Sequence, residues 1–143
     1  MNEAAVIYWT QTGNTEQMAG AIAEGIRAGG VTCDLLNVAD IDAATAAGYT
    51  KLALGCPAMG AEVLEEMEFE PFFTELEGKL SGCKLALFGS YGWGDGQWMR
   101  DWVQRAEDAN ASLYTGEGLI VNETPDADGL AQCRAFGEGF AAY

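Results

Sequence analysis

The stretch Thr10-Gln11-Thr12-Gly13-Asn14-Thr15 joins a segment that predicts a strand to one that predicts a helix. Residues 4–9 (AAVIYW) form a short apolar run with β-branched and aromatic side chains, which is typical of a buried strand. Residues 16–27 carry small and apolar side chains at helical spacing. Hydroxyls, glycine and asparagine before a helix N-terminus favour a phosphate site, because free N–H groups and the helix dipole attract anions there. The alternative is an ordinary helix cap supplied by Thr12, Asn14 or Thr15.

Strand-like and helix-like segments alternate along the rest of the chain. Further strands are expected at 31–38, 51–55, 84–89 and 112–121, and helices at about 15–28, 41–47, 68–80, 97–109 and 126–141. Gly116 and Gly118 interrupt the last of these strands. The alternation indicates an α/β fold, a doubly wound parallel sheet with helices on both faces. No linker-like segment breaks the pattern, so we expect one domain over residues 1–143.

Two further loops follow strands and would lie at the carboxyl edge of the same sheet, where open α/β folds bind ligands. Residues 56–62 read CPAMGAE, and residues 90–97 read SYGWGDGQ. Trp93 offers a flat surface on which an aromatic ligand could stack; the alternative is an indole tucked into the core. Trp98 and Trp102, four residues apart on the following helix, are expected to pack in the core.

The second loop carries three side-chain types that suit a flat heterocycle. Met59 offers a polarizable apolar surface, Gly60 allows a flexible turn, and Glu62 offers a carboxylate for a ring N–H. The alternatives are a plain turn and a solvated acid. The chain has neither a G-x-x-x-x-G-K-[ST] loop nor a G-x-G-x-x-G motif after the first strand. Phosphate loop and ring site together predict a mononucleotide that carries a flat ring.

The chain is strongly acidic, with a formal net charge of −15 from 22 acids and 7 bases. Such a surface repels nucleic acid and anionic membranes, and it favours partners with basic docking faces. Residues 62–77 contain seven acids and no base, which indicates either a docking face or a solvated helix surface. The first residues lack a secretory signal and no apolar run has membrane-spanning length, so we expect a cytoplasmic protein with no membrane partner.

Histidine is absent, and the four cysteines, Cys33, Cys56, Cys83 and Cys133, are widely spaced. This composition gives no support to a metal site or to Ser–His–Asp and Cys–His catalysis. We expect the cysteines to be small buried hydrophobes in a reducing compartment. Any chemistry would therefore rest on a cofactor.

Five motifs together resemble the short-chain flavodoxins of the clostridial type, over essentially the whole chain. They are Tyr8-Trp9 with Thr12-Gly13-Asn14-Thr15, Leu54-Gly55-Cys56, Ala58-Met59-Gly60, residues 62–70 followed by Pro71-Phe72, and the decapeptide LFGSYGWGDG at 87–96. The resemblance implies a flavodoxin-like five-stranded sheet in the order 2-1-3-4-5. It also implies a monomeric, low-potential one-electron carrier, not an enzyme, with non-covalent FMN that shuttles between neutral semiquinone and anionic hydroquinone.

The resemblance also implies roles for individual residues. The first loop holds the phosphate, Trp93 and Met59 cover the two faces of the isoalloxazine, and Glu62 accepts the N3–H. The Gly60 carbonyl turns toward N5–H on reduction. The implied cofactor-binding set is Thr10, Gln11, Thr12, Gly13, Asn14, Thr15, Ala58, Met59, Gly60, Glu62, Ser90, Tyr91, Gly92, Trp93 and Gly94.

Three positions depart from the family pattern, namely Gln11, Pro57 and Ala61. Ala61 has no carboxylate to bond within the turn that it shares with Gly60, so the energetics of that turn differ from the usual case. Two other functions fit the same fold. One is an FMN-dependent oxidoreductase such as a quinone reductase, and the other is a flavin-binding accessory protein dedicated to one partner enzyme.

Overall fold

The chain forms a parallel β-sheet in a computed structural model that describes residues 1–143. Every strand pair is parallel, and the strands lie in the order β2-β1-β3-β4-β5, with β6 also paired to β4. The predicted order is thereby confirmed. The strands are β1 (Ala4–Tyr8), β2 (Cys33–Asn37), β3 (Lys51–Gly55), β4 (Lys84–Tyr91), β5 (Ser112–Leu113) and β6 (Leu119–Asn122).

The prediction of one strand over residues 112–121 is wrong in extent. β5 pairs only with the start of β4, at Lys84 and Leu85, whereas β6 pairs with the four residues that end β4. A 3-10 turn at Tyr114–Gly116 separates the two segments, with Thr115 at φ 63° and Gly116 at φ 75°. Left-handed backbone cannot continue a strand, so the chain leaves the sheet and rejoins it further along the same partner.

Helices cover both faces of the sheet, as predicted. α1 and α5 pack on one face, whereas α2, α3 and α4 pack on the other, each over its own apolar cluster. The helices are α1 (Asn14–Ala28), α2 (Ala43–Ala46), α3 (Phe69–Glu77), α4 (Gln97–Asp108) and α5 (Ala127–Ala142). The helix expected at 68–80 is shorter than predicted, because it ends at the C-cap Gly78.

Glycines let α1 and α5 approach each other at backbone distance. A β-carbon at Gly25 would overlap the Arg134 carbonyl, and one at Gly137 would overlap the Ile22 carbonyl. The two helices therefore pack closely together over the apolar cluster that they share with β1 and β4.

The other face is packed with aromatic side chains. Trp98 and Trp102 are each only 1% exposed, which confirms their predicted role in the core. Trp102 meets the rings of Phe69 and Phe73 edge to face, with centroids 5.4 and 5.8 Å apart. All four cysteines are free thiols; Cys83 is half-buried, and the other three are buried. None of the helices has the length and apolar character that crossing a membrane requires.

Candidate functional site

The first loop ends at a helix N-terminus that no side chain caps. The N-cap is Gly13, at φ 95° and ψ −4°, so the alternative of a cap by Thr12, Asn14 or Thr15 is wrong. A left-handed cap favours glycine, because a β-carbon is strained in that conformation. The Gly13 N–H donates to Thr10 Oγ1 at 3.0 Å, which folds the loop over the start of α1. The first-turn N–H groups of α1 thus stay available to an external acceptor.

Two buried hydroxyls join the first loop to the end of β4. Thr15 Oγ1 lies 3.0 Å from Ser90 Oγ and accepts the Ser90 N–H at 3.3 Å. Both residues are buried, although they also line the cavity described below. The hydroxyl of Thr15 therefore serves the fold as well as the cavity, and it sets the distance between the first loop and the third.

The second loop contains a tight turn closed by a reciprocal pair of hydrogen bonds. The N–H of Met59 donates to the Val63 carbonyl, and the N–H of Val63 donates to the Met59 carbonyl, both at 2.8 Å. Inside the turn, Gly60 and Glu62 have left-handed backbone at φ 52° and φ 55°. A glutamate with positive φ is uncommon, and such strain is concentrated at functional sites.

The base of the second loop is fixed by α4 and β4. The indole N–H of Trp98 donates to the Cys56 carbonyl at 3.1 Å, and the Ala58 N–H donates to the Ser90 carbonyl at 3.1 Å. A β-carbon at Gly89 would overlap the Cys56 carbonyl, so β4 must carry glycine there. Burial raises the pKa of the Cys56 thiol above its ordinary range, which keeps it protonated. The turn thus extends from a base that contacts with α4 and β4 hold in place.

The third loop carries Trp93 on the surface, as predicted. Its side chain is 52% exposed, so the alternative of an indole in the core is wrong. The loop then leads into α4, where Arg100 donates to the Asp95 carboxylate at 2.8 Å and to the Asp95 carbonyl at 3.1 Å. The hydrogen bond from Arg100 holds the pKa of the Asp95 carboxyl below its usual range.

A fourth loop, between β6 and α5, also reaches the site, and the sequence reasoning missed it. The Glu123 N–H donates to the Tyr91 carbonyl at 2.7 Å, and the Thr124 hydroxyl donates to Asn14 Oδ1 at 3.1 Å. Glu123 has left-handed backbone at φ 56°. The sequence could have indicated this loop by its position alone, since the loop after the predicted fifth strand also leaves the carboxyl edge of the sheet.

These four loops enclose a cavity at the carboxyl edge of the sheet. Glu123 is the one charged residue among those that line it, and no lysine or arginine does so. Gly13, Gly60, Glu62 and Gly94 belong to the predicted set but do not line the cavity. The lining residues are Thr10, Gln11, Thr12, Asn14, Thr15, Pro57, Ala58, Met59, Ser90, Tyr91, Gly92, Trp93 and Glu123.

Comparison with known proteins gives this geometry its context. The family model described as flavodoxin matches residues 6–137. The chain belongs to the flavodoxin family. The flavodoxin of Clostridium beijerinckii is 46% identical over 136 residues, which cover 95% of this chain and 97% of that protein. The flavodoxin of Megasphaera elsdenii is 45% identical, over 95% of this chain and 96% of its own length.

The solved structures agree with that assignment. The solution structure of two-electron reduced Megasphaera elsdenii flavodoxin superposes with a TM-score of 0.88 at 44% identity, covering 98% of this chain and 99% of that one. The resemblance seen in the motifs is therefore confirmed. Flavodoxins transfer electrons with FMN and act with redox partner proteins, so FMN is the cofactor of this chain.

The cavity suits FMN in its chemistry. An uncapped helix N-terminus beside hydroxyl side chains can bind a phosphate without any cation, because its free N–H groups donate to the phosphate oxygens. Met59 and the exposed indole of Trp93 supply apolar surface among the polar lining residues. The first and second loops follow β1 and β3, which are the strands on either side of the switch point of the flavodoxin fold.

Proposed function

We propose that this chain, as a single domain over residues 1–143, holds FMN non-covalently in the cavity and acts as a one-electron carrier. The observation that supports this most is the cavity itself, which combines an uncapped helix N-terminus, a half-exposed indole and no cation. FMN supplies the redox chemistry when bound. The protein supplies binding, orientation and the electrostatic field.

The phosphate end of the proposed site is the first loop. Asn14 and Thr15, the first residues of α1, line the cavity together with Thr10 and Thr12 of the preceding loop. Gln11, Gly13, Asn14 and Thr15 complete the set that we propose for the phosphate. The N-terminal dipole of α1 adds attraction for a negative group, typically about 0.3–1 kcal/mol at an exposed site. Binding of the phosphate thus needs no lysine.

The ring end of the proposed site lies between the second and third loops. We place Met59 against one face of the ring and Trp93 against the other, with the ring N3–H directed at Glu62. The remaining polar contacts that we propose come from backbone groups and from the Ser90 hydroxyl. The backbone groups belong to Ala58, Gly60, Tyr91, Gly92 and Gly94.

Proton placement at the ring would depend on the Gly60 carbonyl. Glycine lets that peptide reverse its direction at low steric cost, so the carbonyl can turn toward a ring N–H that forms on reduction. Ala61 follows Gly60 and offers no carboxylate that would restrain the turn. We therefore propose that the backbone of this turn, held at Met59 and Val63, decides how well the added proton is stabilised.

The charges around the cavity favour single-electron transfer. Glu123 is the charged lining residue, and the chain as a whole carries a formal charge of −15. Added negative charge on the ligand is disfavoured in such a field, whereas a neutral state is not. The proposed working states are accordingly the neutral semiquinone and the anionic hydroquinone, with the second reduction step moved to low potential.

We propose that this chain is a cytoplasmic monomer. Its proposed partners are redox proteins with basic docking faces. Two exposed acids that follow the second loop, Glu66 and Glu68, lie in the acidic run of residues 62–77. Opposite charges steer two proteins together and raise the association rate at low salt. The rate of electron transfer to such a partner is expected to fall as ionic strength rises.

Two titrations test the proposal. FMN added to the flavin-free chain is expected to lose its fluorescence with a 1:1 end point, because the indole stacks on the ring. Stepwise anaerobic reduction is then expected to give a blue intermediate between the yellow and bleached forms. Absence of fluorescence quenching would contradict the binding site. Direct bleaching would favour the FMN-dependent oxidoreductase, and transfer to one partner but to no generic reductase would favour the dedicated accessory protein.

A further inference from the structure

We propose that Glu62 is a positioning residue that clamps the second loop to the third before FMN enters. This role rests on the proposed function of the cavity and adds to it, because an acceptor for the ring N–H would need no contact with the third loop. The contacts of Glu62 within the protein point to the clamp.

The first observation is a hydrogen bond between the two loops. Glu62 Oε1 accepts the backbone N–H of Asp95 at 3.1 Å, across 33 positions of sequence. The backbone of Glu62 is held in its left-handed conformation by the turn that the Met59–Val63 hydrogen bonds close. A glutamate in strained backbone is retained only where the surrounding structure or a function requires it. The carboxylate thereby reaches the third loop at Asp95.

The second observation is the space that Gly94 leaves. A β-carbon at Gly94 would overlap the Glu62 carboxylate, so any other residue there would displace it. Gly94 also has left-handed backbone, at φ 75°. Position 94 therefore favours glycine for two separate reasons, one in its own backbone and one in its contact with Glu62. The second reason exists only if the carboxylate occupies this place.

The third observation is that the far side of the clamp is itself anchored. Asp95 is bound through its carboxylate and its carbonyl by Arg100 of α4. The chain of contacts runs from the Met59–Val63 turn through Glu62 to Asp95 and then to a helix. The third loop, which carries Trp93, is thereby held beside the turn that carries Met59.

The clamp and the ring contact can coexist on one carboxylate. A carboxylate has about four acceptor positions on its two oxygens, and Asp95 uses one of them. Oε2 makes no hydrogen bond within the protein and can accept a ring N–H while Oε1 holds the third loop. Ordering the two loops in advance reduces the entropy lost when the ring binds, which strengthens binding without a new contact.

Amide exchange at Asp95 tests the clamp in the full-length chain, with and without FMN. Glu62→Ala is expected to speed exchange of the Asp95 N–H about tenfold in the flavin-free chain, because a hydrogen bond to a charged acceptor is lost. Glu62→Gln keeps an acceptor oxygen and should stay within about threefold of the wild type. Glu75→Ala removes an exposed acid of α3 and should leave the exchange unchanged. Unchanged exchange in Glu62→Ala would overturn the clamp even if FMN binds, whereas protected Asp95 in a chain that fails to bind FMN would overturn only the proposed function.

A double-mutant cycle with Gly94→Ala supplies an independent test. The backbone strain of alanine at position 94 is present whether or not Glu62 is there, so it cancels in the cycle. Displacement of the carboxylate does not cancel. Gly94→Ala is therefore expected to weaken FMN binding by several-fold more in the wild type than in Glu62→Ala. Equal fold-changes in the two backgrounds would overturn the clamp.

Discussion

We predict that the buried carboxylate of Glu65 holds the second loop in place. Its side chain is only 6% exposed, and its carboxylate accepts three backbone N–H groups at the start of α3. Oε1 accepts from Met67 at 2.6 Å, and Oε2 accepts from Glu68 and Phe69 at 2.9 Å each. The Glu65 N–H donates to Cys56 Sγ at 3.4 Å. One acid therefore caps a helix and anchors the loop to the base of the site.

The change Glu65→Ala is expected to lower the free energy of unfolding by about 3 kcal/mol. A hydrogen bond to a charged group is worth about 1.5–3 kcal/mol, and loss of a helix cap alone costs about 1 kcal/mol. The three bonds share one carboxylate, and two of the freed N–H groups are only part-buried and can reach water, so the losses do not add in full. Glu65→Gln should lose about half as much, because a carboxamide presents one acceptor oxygen.

Urea unfolding of the flavin-free chain measures the effect directly, and thermal unfolding should show a fall in Tm of about 10 °C for Glu65→Ala. The matched control is Glu66→Ala, which removes the neighbouring acid; Glu66 is exposed and makes no hydrogen bond, so the change should stay within about 0.5 kcal/mol. A loss below about 1 kcal/mol for Glu65→Ala, or an equal loss for the control, would refute the reasoning.

Three further predictions concern the ring site, the sheet and the pH dependence of stability. Trp93→Ala should weaken FMN binding by roughly tenfold and leave unfolding of the flavin-free chain nearly unchanged, because the indole is half-exposed and its proposed stacking partner is the ligand; fluorescence titration and urea unfolding measure the two effects. Gly89→Ala should lower the free energy of unfolding by about 1–3 kcal/mol, because its β-carbon would meet a buried carbonyl. The control Gly20→Ala lies on α1 with open space around it and should raise the free energy of unfolding by about 0.5–1 kcal/mol. Equal changes of the two variants in urea unfolding would contradict this prediction. Arg105 donates two hydrogen bonds to the Glu70 carboxylate, at 2.7 and 2.9 Å, and lowers the pKa of that carboxyl. The Arg105–Glu70 pair therefore stabilises the folded chain fully above the ordinary pKa of glutamate, and this stabilisation is lost as the pH falls through the lowered pKa. The unfolding free energy of Arg105→Gln should therefore lie about 1 kcal/mol below the wild type at pH 7 and approach it as the pH falls below about 4, whereas a gap that widens in acid would contradict the assigned sign.

Much of the site was predictable because its parts are local in sequence. Gly13 and Gly60 mark turns by their residue type, and the exposed place of Trp93 follows from its position between glycines. Glu123 was missed because it is an ordinary acid in a short loop, with no motif around it. The true extent of the fifth strand was missed as well, since Gly116 and Gly118 signal an interruption but not where the chain re-enters the sheet.

The sequence by itself determined the alternation of strands and helices, the acidic surface and the three loops rich in hydroxyls, glycine and aromatic residues. These are consequences of periodicity and turn chemistry, which act within a few residues. The tertiary structure alone decided which loops touch. The Thr15–Ser90 contact spans 75 positions and the Glu62–Asp95 contact spans 33, so neither follows from local preference. Such contacts arise when parallel strands bring the ends of distant segments to one edge of a sheet. The sequence of residues 10–15 thus determines the local structure of the first loop, but the packing of the whole sheet determines the position of that loop beside the others.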